Sequence, residues 1–181
     1  GKPYVEGVKA ILNIAKQFDD LEFVDLGGGF GIPYEKLNDQ PRLDMVELGK
    51  QLDEVFEQFV KDYGKEITFK IEPGRYVSAE CGVLLGTVTA VKHNGEDKYI
   101  GTDIGFNVLQ RPVMYDSHHD IEVYNDSDNT EDVTVVGNIC ESGDILAKHR
   151  ICPEMHVGDT MAMLDAGAYG YCMASNYNNR L

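Results

Sequence analysis

Five short stretches hold the residue types that do chemistry. Gly27-Gly28-Gly29-Phe30-Gly31 follows the apolar run Phe23-Val24-Asp25-Leu26. Bare backbone N–H groups there can cradle a phosphate, and α/β folds bind ligands at the C-terminal ends of their strands. A tight turn would need the same glycines. The dinucleotide spacing fails, because the third glycine counted from Gly27 would have to stand at Ile32, and no Gly-Lys-Ser/Thr follows for a P-loop. Glu72-Pro73-Gly74-Arg75 ends the next β-rich run, putting a carboxylate and a guanidinium at a second strand tip. Alone it reads equally as a salt-bridged turn. Loops on successive parallel strands face the same sheet edge, so the two can meet at one ligand.

The other three stretches lie further along. Arg111-Pro112-Val113-Met114-Tyr115 offers a guanidinium and a phenol at i and i+4, and Arg suits a carboxylate bidentately. Its plain alternative is a surface Arg. Cys140-Glu141-Ser142-Gly143-Asp144 gathers a thiol and two carboxylates around a glycine; it is a polar turn unless the thiol gives or takes a proton. Asp165-Ala166-Gly167-Ala168-Tyr169-Gly170 surrounds one Tyr with small residues, which means either backbone close to a ligand or a packed turn. A zinc site is not expected, because Cys140, His149, Cys152 and His156 match no common ligand spacing and His118-His119 point opposite ways if extended. No GxSxG elbow supports a Ser/His/Asp triad.

The elements that must position these groups change character along the chain. Tyr4, Val8, Ile11, Leu12, Ala15 and Phe18 repeat at helical spacing. A strand at Phe23–Leu26 follows, then a second helical stripe of Met45, Leu48, Leu52, Val55, Phe56 and Phe59. Asp44 and Glu47 are spaced as a capping box at its start, and Gly64 stops it. Residues 67–71 make the next strand. Strands alternating with helices imply a parallel sheet or barrel. Beyond about Ser78 the pattern turns to β: residues 83–91, a turn at Asn94-Gly95, then strands at 98–100, 121–124, 133–136 and 160–164. Residues 124–132 (YNDSDNTED) read as a solvated acidic loop.

The whole chain has 181 residues, with 16 Lys+Arg against 31 Asp+Glu and a net charge of −15. That balance argues against nucleic acid or an anionic membrane as partner, since both need clustered Lys/Arg. At 43% hydrophobic the chain can bury a core, yet it holds no apolar run long enough to span a bilayer. Four cysteines without a CxxC pair, and an N-terminus (GKPYVEGVKAILNIAKQ) without a signal-peptide core, lead us to expect a reduced, cytoplasmic chain.

Taken together, FVDLGGGFGIPY, KIEPGRYVSAECG, RPVMY, GNICESGDILAKHR and DAGAYGYCMASNYN, in this order, resemble the diaminopimelate decarboxylases. These are pyridoxal-phosphate enzymes with an alanine-racemase-like barrel and a β domain. Arginine, ornithine and carboxynorspermidine decarboxylases share the GGG and EPGR elements, while CESGD and the SNYN ending look most like the diaminopimelate branch. The resemblance implies an α/β barrel fragment over residues 1–78, comprising the last β/α units of a TIM-like barrel, followed by a mostly-β domain over 79–181.

Pyridoxal 5′-phosphate is the implied cofactor, and decarboxylation of meso-2,6-diaminopimelate to L-lysine, the last step of lysine biosynthesis, the implied reaction. Gly27, Gly28 and Gly29 would bind the cofactor phosphate, with Gly74 and Arg75 nearby. Glu72 would meet the pyridine nitrogen and Tyr169 would contact the cofactor and substrate. Arg75, Arg111 and Tyr115 would hold the substrate's distal carboxylate. In a homodimer with shared sites, Cys140 would donate a proton in the neighbouring subunit's site and Glu141 would meet the distal ammonium. The family's cofactor-anchoring lysine and ring-stacking histidine lie upstream of the residues matched here, and the family continues through one more strand after SNYN. The chain is therefore expected to be a C-terminal portion, inactive alone. The alternatives are a decarboxylase of the arginine, ornithine or carboxynorspermidine type, and a non-catalytic β dimerisation module.

Overall fold

The first helical stripe becomes α1 (Lys2–Ala15), which buries Val5, Val8, Leu12 and Ala15. It ends one turn before Phe18, which is exposed together with Ile11 and Ile14. Ile11 and Phe18 belong to the expected stripe but lie outside the strip that packs. β1 (Phe23–Asp25) follows, then α2 (Met45–Tyr63) and β2 (Thr68–Lys70). Asp44 caps α2 by accepting from the backbone N–H groups of Val46 (3.0 Å) and Glu47 (2.9 Å). Only this half of the expected box forms, because the Glu47 carboxylate instead accepts from Gln51 one turn on, at 2.9 Å. Gly64 ends the helix at φ 77° with its N–H on the Val60 carbonyl, a left-handed cap that glycine adopts without a Cβ clash.

The computed structural model describes residues 1–180, which form two units. One takes Gly1–Pro33 and Pro41–Val77; the other takes Tyr34–Gln40 and the chain from Ser78 onward. In the first unit β1 and β2 pair in parallel, Val24 opposite Phe69. Leu48, Leu52 and Phe59 of α2 share a core with α1 and with Val24 and Leu26. Phe56 stacks on Phe69 with ring centroids 4.1 Å apart. The α-β-α-β order is as expected. Two strands carry no shear number, however, so the geometry alone does not make a barrel of them.

The second unit is a nearly closed six-stranded mixed sheet in the order β5-β8-β3-β4-β6-β7. Its strands are β3 (Leu84–Asn94), β4 (Asp97–Thr102), β5 (Ile121–Tyr124), β6 (Thr130–Val136), β7 (Ile145–Pro153) and β8 (Thr160–Met163). β3 serves two neighbours in succession: Leu84–Thr87 pair with β8, and from Val88 onward it pairs with β4. A register shift between Val88 and Ala90 marks the change. The edge strands β5 and β7 come together. Ile100, Val135, Leu146, Met161 and Met163 fill the interior.

Two sequence expectations shift here, and one strand, β7, was not expected. The hairpin turn is Gly95-Glu96 rather than Asn94-Gly95, since Asn94 pairs with Asp97 and Gly95, at φ 63°, takes the first central position that a type II′ turn reserves for glycine. The acidic loop is shorter than read, because Thr130–Asp132 already pair with β7. β7 itself has no clean alternation to announce it. Its burial runs Ile145 half-buried, Leu146 and Ala147 buried, Lys148 and His149 exposed, and His149 sits at φ 48°. That break in phase beside the register shift of β6 hides the period of two.

Candidate active site

The parallel ladder of the first unit continues beyond its strands into the two glycine-bearing loops. Leu26 donates to the Lys70 carbonyl (2.9 Å) and Glu72 to the Gly27 carbonyl (2.9 Å). The loops therefore run side by side, and a Cβ on Gly28 would stand 2.1 Å from the Glu72 carbonyl oxygen. Gly28 is required by this close approach. Gly27 and Gly29 are required by conformation, at φ 66° and 98°. The Gly27 N–H is engaged by the Asp25 carboxylate at 2.9 Å. Gly28 and Gly29 donate to no protein group among the described residues. Open space lies where Cβ atoms at Gly27, Gly29 and Gly74 would be. This is a cradle of bare backbone at two strand ends, with room and donors for a phosphate, and it fits the phosphate end of a cofactor. Glu72 lies two residues beyond the end of β2, and Arg75 lies in the short helix α3 (Gly74–Ser78).

In the second unit, Arg111 opens the short helix α4 (Arg111–Tyr115). It is not the surface Arg of the plain reading, being only 4% exposed. Its guanidinium carbon lies 4.5 Å from the centre of the Tyr34 ring, a cation–π distance. Its Nη1 donates to His119 Nε2 at 3.0 Å. His119, 1% exposed, donates in turn from Nδ1 to the Leu164 carbonyl at 2.7 Å. A carbonyl only accepts and a guanidinium only donates, so the partners assign His119 the neutral Nδ1–H tautomer. Burial pushes its pKa down, against the Leu164 hydrogen bond that pushes it up. Tyr115, at the far end of α4, is exposed, and Asp116 closes the helix in the left-handed region at φ 52°.

Cys140 and Glu141 lie exposed on the loop between β6 and β7. The loop is built on Asp144, whose side chain is 4% exposed. One oxygen accepts from the Phe106 N–H (2.7 Å) and the other from the Ile139 N–H (2.8 Å). The Glu141 carboxylate stays over its own loop, 3.4 Å from both Ser142 Oγ and the Gly143 N–H.

Tyr169 is exposed and holds φ 59°. The small residues before it have a structural cause. A Cβ on Gly167 would come within 2.1 Å of the Ser78 carbonyl oxygen, and Ala166 donates to the Gly82 carbonyl at 2.8 Å. Lys36 anchors the same turn through Asp165 (2.6 Å) and Glu80 (2.8 Å).

Thus the structure brings Gly27–Gly29 against Glu72 and Pro73, and it surrounds Arg111 with Tyr34 and His119. Sequence named Asp144 only as part of the Cys140 loop and His119 only as an unsuitable zinc ligand, and it assigned Tyr34 no role. His119 stands eight residues from Arg111, and Asp144 reaches thirty-eight residues back to Phe106, separations that no local pattern carries. The hint available was that Asp144 closes the same five residues as Cys140. Among the described residues no three His, Cys, Asp or Glu side chains gather as a metal site would need.

Residues 31–167 match the family model of the pyridoxal-dependent decarboxylase, C-terminal sheet domain. A diaminopimelate decarboxylase of Archaeoglobus fulgidus is 42% identical across 98% of this chain and 43% of its own length. One from Methanothermobacter thermautotrophicus is 37% identical across 99% of this chain and again 43% of its length. The chain therefore spans less than half of these relatives. The crystal structure of the M. jannaschii diaminopimelate decarboxylase in complex with L-lysine superposes with a TM-score of 0.87 at 33% identity, over 99% of this chain and 42% of that one.

Proposed function

Since this chain belongs to the pyridoxal-dependent decarboxylases, whose C-terminal sheet domain it carries, we propose that it serves the decarboxylation of meso-2,6-diaminopimelate to L-lysine. The observation that carries this reading is the 42% identity with a diaminopimelate decarboxylase over 98% of the chain. We read residues 1–78 as the last β/α units of a TIM-like barrel and residues 79–181 as the β domain. The parallel β1–β2 pair supports the barrel. So do the apolar side chains of Ile14, Phe18, Phe23 and Ile71, left exposed on the first unit, where a barrel would cover them.

Pyridoxal phosphate, held by the backbone of Gly28 and Gly29 with Gly27, Gly74 and Arg75 beside them, would supply an electron sink for the bond to the departing CO₂. Glu72 would keep the pyridine nitrogen protonated, as a carboxylate next to a ring N–H does. Tyr169 would contact cofactor and substrate. A distal carboxylate needs a cation, which Arg111 supplies with Arg75 and Tyr115; the buried setting of Arg111 strengthens that interaction. Glu141 would meet the distal ammonium, and the Cys140 thiol would give its proton to Cα once CO₂ has left. Both are exposed on one loop, as groups serving a partner subunit's site in a homodimer must be. Among the described residues no helix is long and apolar enough to cross a membrane, and a cytoplasmic biosynthetic enzyme is the reading we adopt.

The test is turnover of meso-diaminopimelate by the pyridoxal-phosphate-loaded enzyme, with CO₂ and lysine measured against ornithine and arginine as competing substrates. A site built to bond a polar group rejects analogues lacking it by up to about 10⁴–10⁵. Faster turnover of ornithine or arginine would overturn the substrate assignment.

A further inference from the structure

We propose that Asp144 is a positioning residue that holds two substrate-facing segments in register: the loop bearing Cys140 and Glu141, and the turn leading into the helix of Arg111 and Tyr115. This rests on the roles proposed above for those four residues, and it adds a group that none of those roles includes. Asp144 touches neither cofactor nor substrate in this scheme. Its carboxylate is buried and bonded to backbone on both sides. On one side it accepts from Ile139, the residue directly before Cys140. On the other it accepts from Phe106, whose turn continues through Val108 and Leu109, both donating to the Gly105 carbonyl at 3.1 and 3.4 Å, to Gln110, the N-cap of α4.

The carboxylate fills space that two glycines leave open. A Cβ on Gly137 would lie 2.2 Å from its Oδ2, and one on Gly105 would lie 2.8 Å from the same atom. The main chain of Asp144 closes the loop as well, donating to the Glu141 carbonyl (3.1 Å) and accepting from the Gly137 N–H (3.0 Å). Asn138 adds a second tie, its Nδ2 donating to the Asp103 carbonyl at 2.6 Å. A carboxylate can satisfy two N–H groups at once because both oxygens accept; the isosteric amide can satisfy one and turns an NH₂ toward the other. Misplacing reacting groups by about 1 Å costs on the order of 10²-fold in rate.

The experiment compares Asp144→Asn and Gly137→Ala with Cys140→Ser in the pyridoxal-phosphate-loaded enzyme. Asp144→Asn should lower kcat on the order of 10²-fold, raise KM for diaminopimelate, and shift the ratio of lysine to the aldehyde that would be released if the proton went to the cofactor rather than to Cα, leaving the amino group on the cofactor. That ratio and KM do not depend on how much enzyme is folded, so a purely structural role would leave both unchanged. Gly137→Ala, which crowds the same carboxylate without altering its charge, should move them in the same direction. Native alkylation of Cys140, mapped by mass, should change rate in both variants. In the wild-type protein the Phe106 and Ile139 amides should be protected from hydrogen exchange; fast exchange at either overturns the proposal even where the variants do not fold. If Cys140→Ser leaves the product ratio unchanged, the reading of Cys140 fails. If Cys140→Ser alters it and Asp144→Asn does not, only the role of Asp144 fails.

Discussion

His119 accepts a hydrogen bond from Arg111 at 3.0 Å, so an imidazole faces a guanidinium with its lone pair and must be neutral to do so. Its pKa is lowered from 6.5, chiefly by burial, with the charge of Arg111 adding to the effect. Asp165 pulls the other way, and His118 adds to the lowering. A histidine whose folded pKa lies below its unfolded value stabilises the fold fully above about pH 6.5, and that stability is lost as pH falls through the unfolded value toward the folded one. Thermal midpoints measured between pH 7.5 and 5 should therefore fall with acid, and less steeply in His119→Gln. Replacing His119 by Leu leaves the Leu164 carbonyl and an Arg111 donor without this partner, at about 1–3 kcal/mol. An equal acid slope in wild type and His119→Gln would refute the assignment.

Gly28→Ala should part the two strand-end loops. The new Cβ would meet the Glu72 carbonyl oxygen, which is backbone and cannot swing aside. Overpacking of this kind costs about 1–3 kcal/mol. Pyridoxal-phosphate binding, read from its near-visible absorbance, should weaken as well. Gly31→Ala is the control, because nothing lies within 4 Å of its Cβ position. Similar losses in both variants would show that the close approach at Gly28 is not what matters.

Asp44→Ala removes the side-chain cap of α2 and should cost about 1 kcal/mol in a denaturant titration. Glu47→Ala should cost clearly less, since its carboxylate bonds Gln51 rather than closing a box on Asp44. Equal costs would mean that the box closes in solution.

Cys152 should resist alkylation in the folded protein. It is buried, and that burial pushes its thiol up to about 11, so at pH 8 only about one molecule in a thousand carries a thiolate there. Cys81, Cys140 and Cys172 are exposed. Iodoacetamide labelling followed by peptide mapping should modify those three and spare Cys152 until denaturant is added. Modification of Cys152 at the rate of the exposed thiols would contradict its burial.

What the amino-acid sequence determined by itself was whatever depends on near neighbours. The helices α1 and α2, the Asp44 cap and the Gly64 stop lie within a few residues of the bonds they make and are found where the pattern puts them, although Ile11 and Phe18 of the first stripe stay exposed. The glycine run and the Glu-Pro-Gly-Arg turn were legible for the same reason, as were the five ordered motifs that placed the chain in its family. Tertiary structure decided the rest. Gly28 is obligatory because Glu72 passes beside it, and Arg111 is buried because Tyr34 and His119 close over it. The Cys140 loop is shaped by a carboxylate that reaches back to Phe106. β7 took its place through pairing with β6 rather than through its own alternation, which the left-handed His149 interrupts. Each of these is a contact between residues far apart in the chain, whose closure cost is met only when the whole sheet forms. A periodicity or a motif cannot encode a partner that only the assembled sheet brings near.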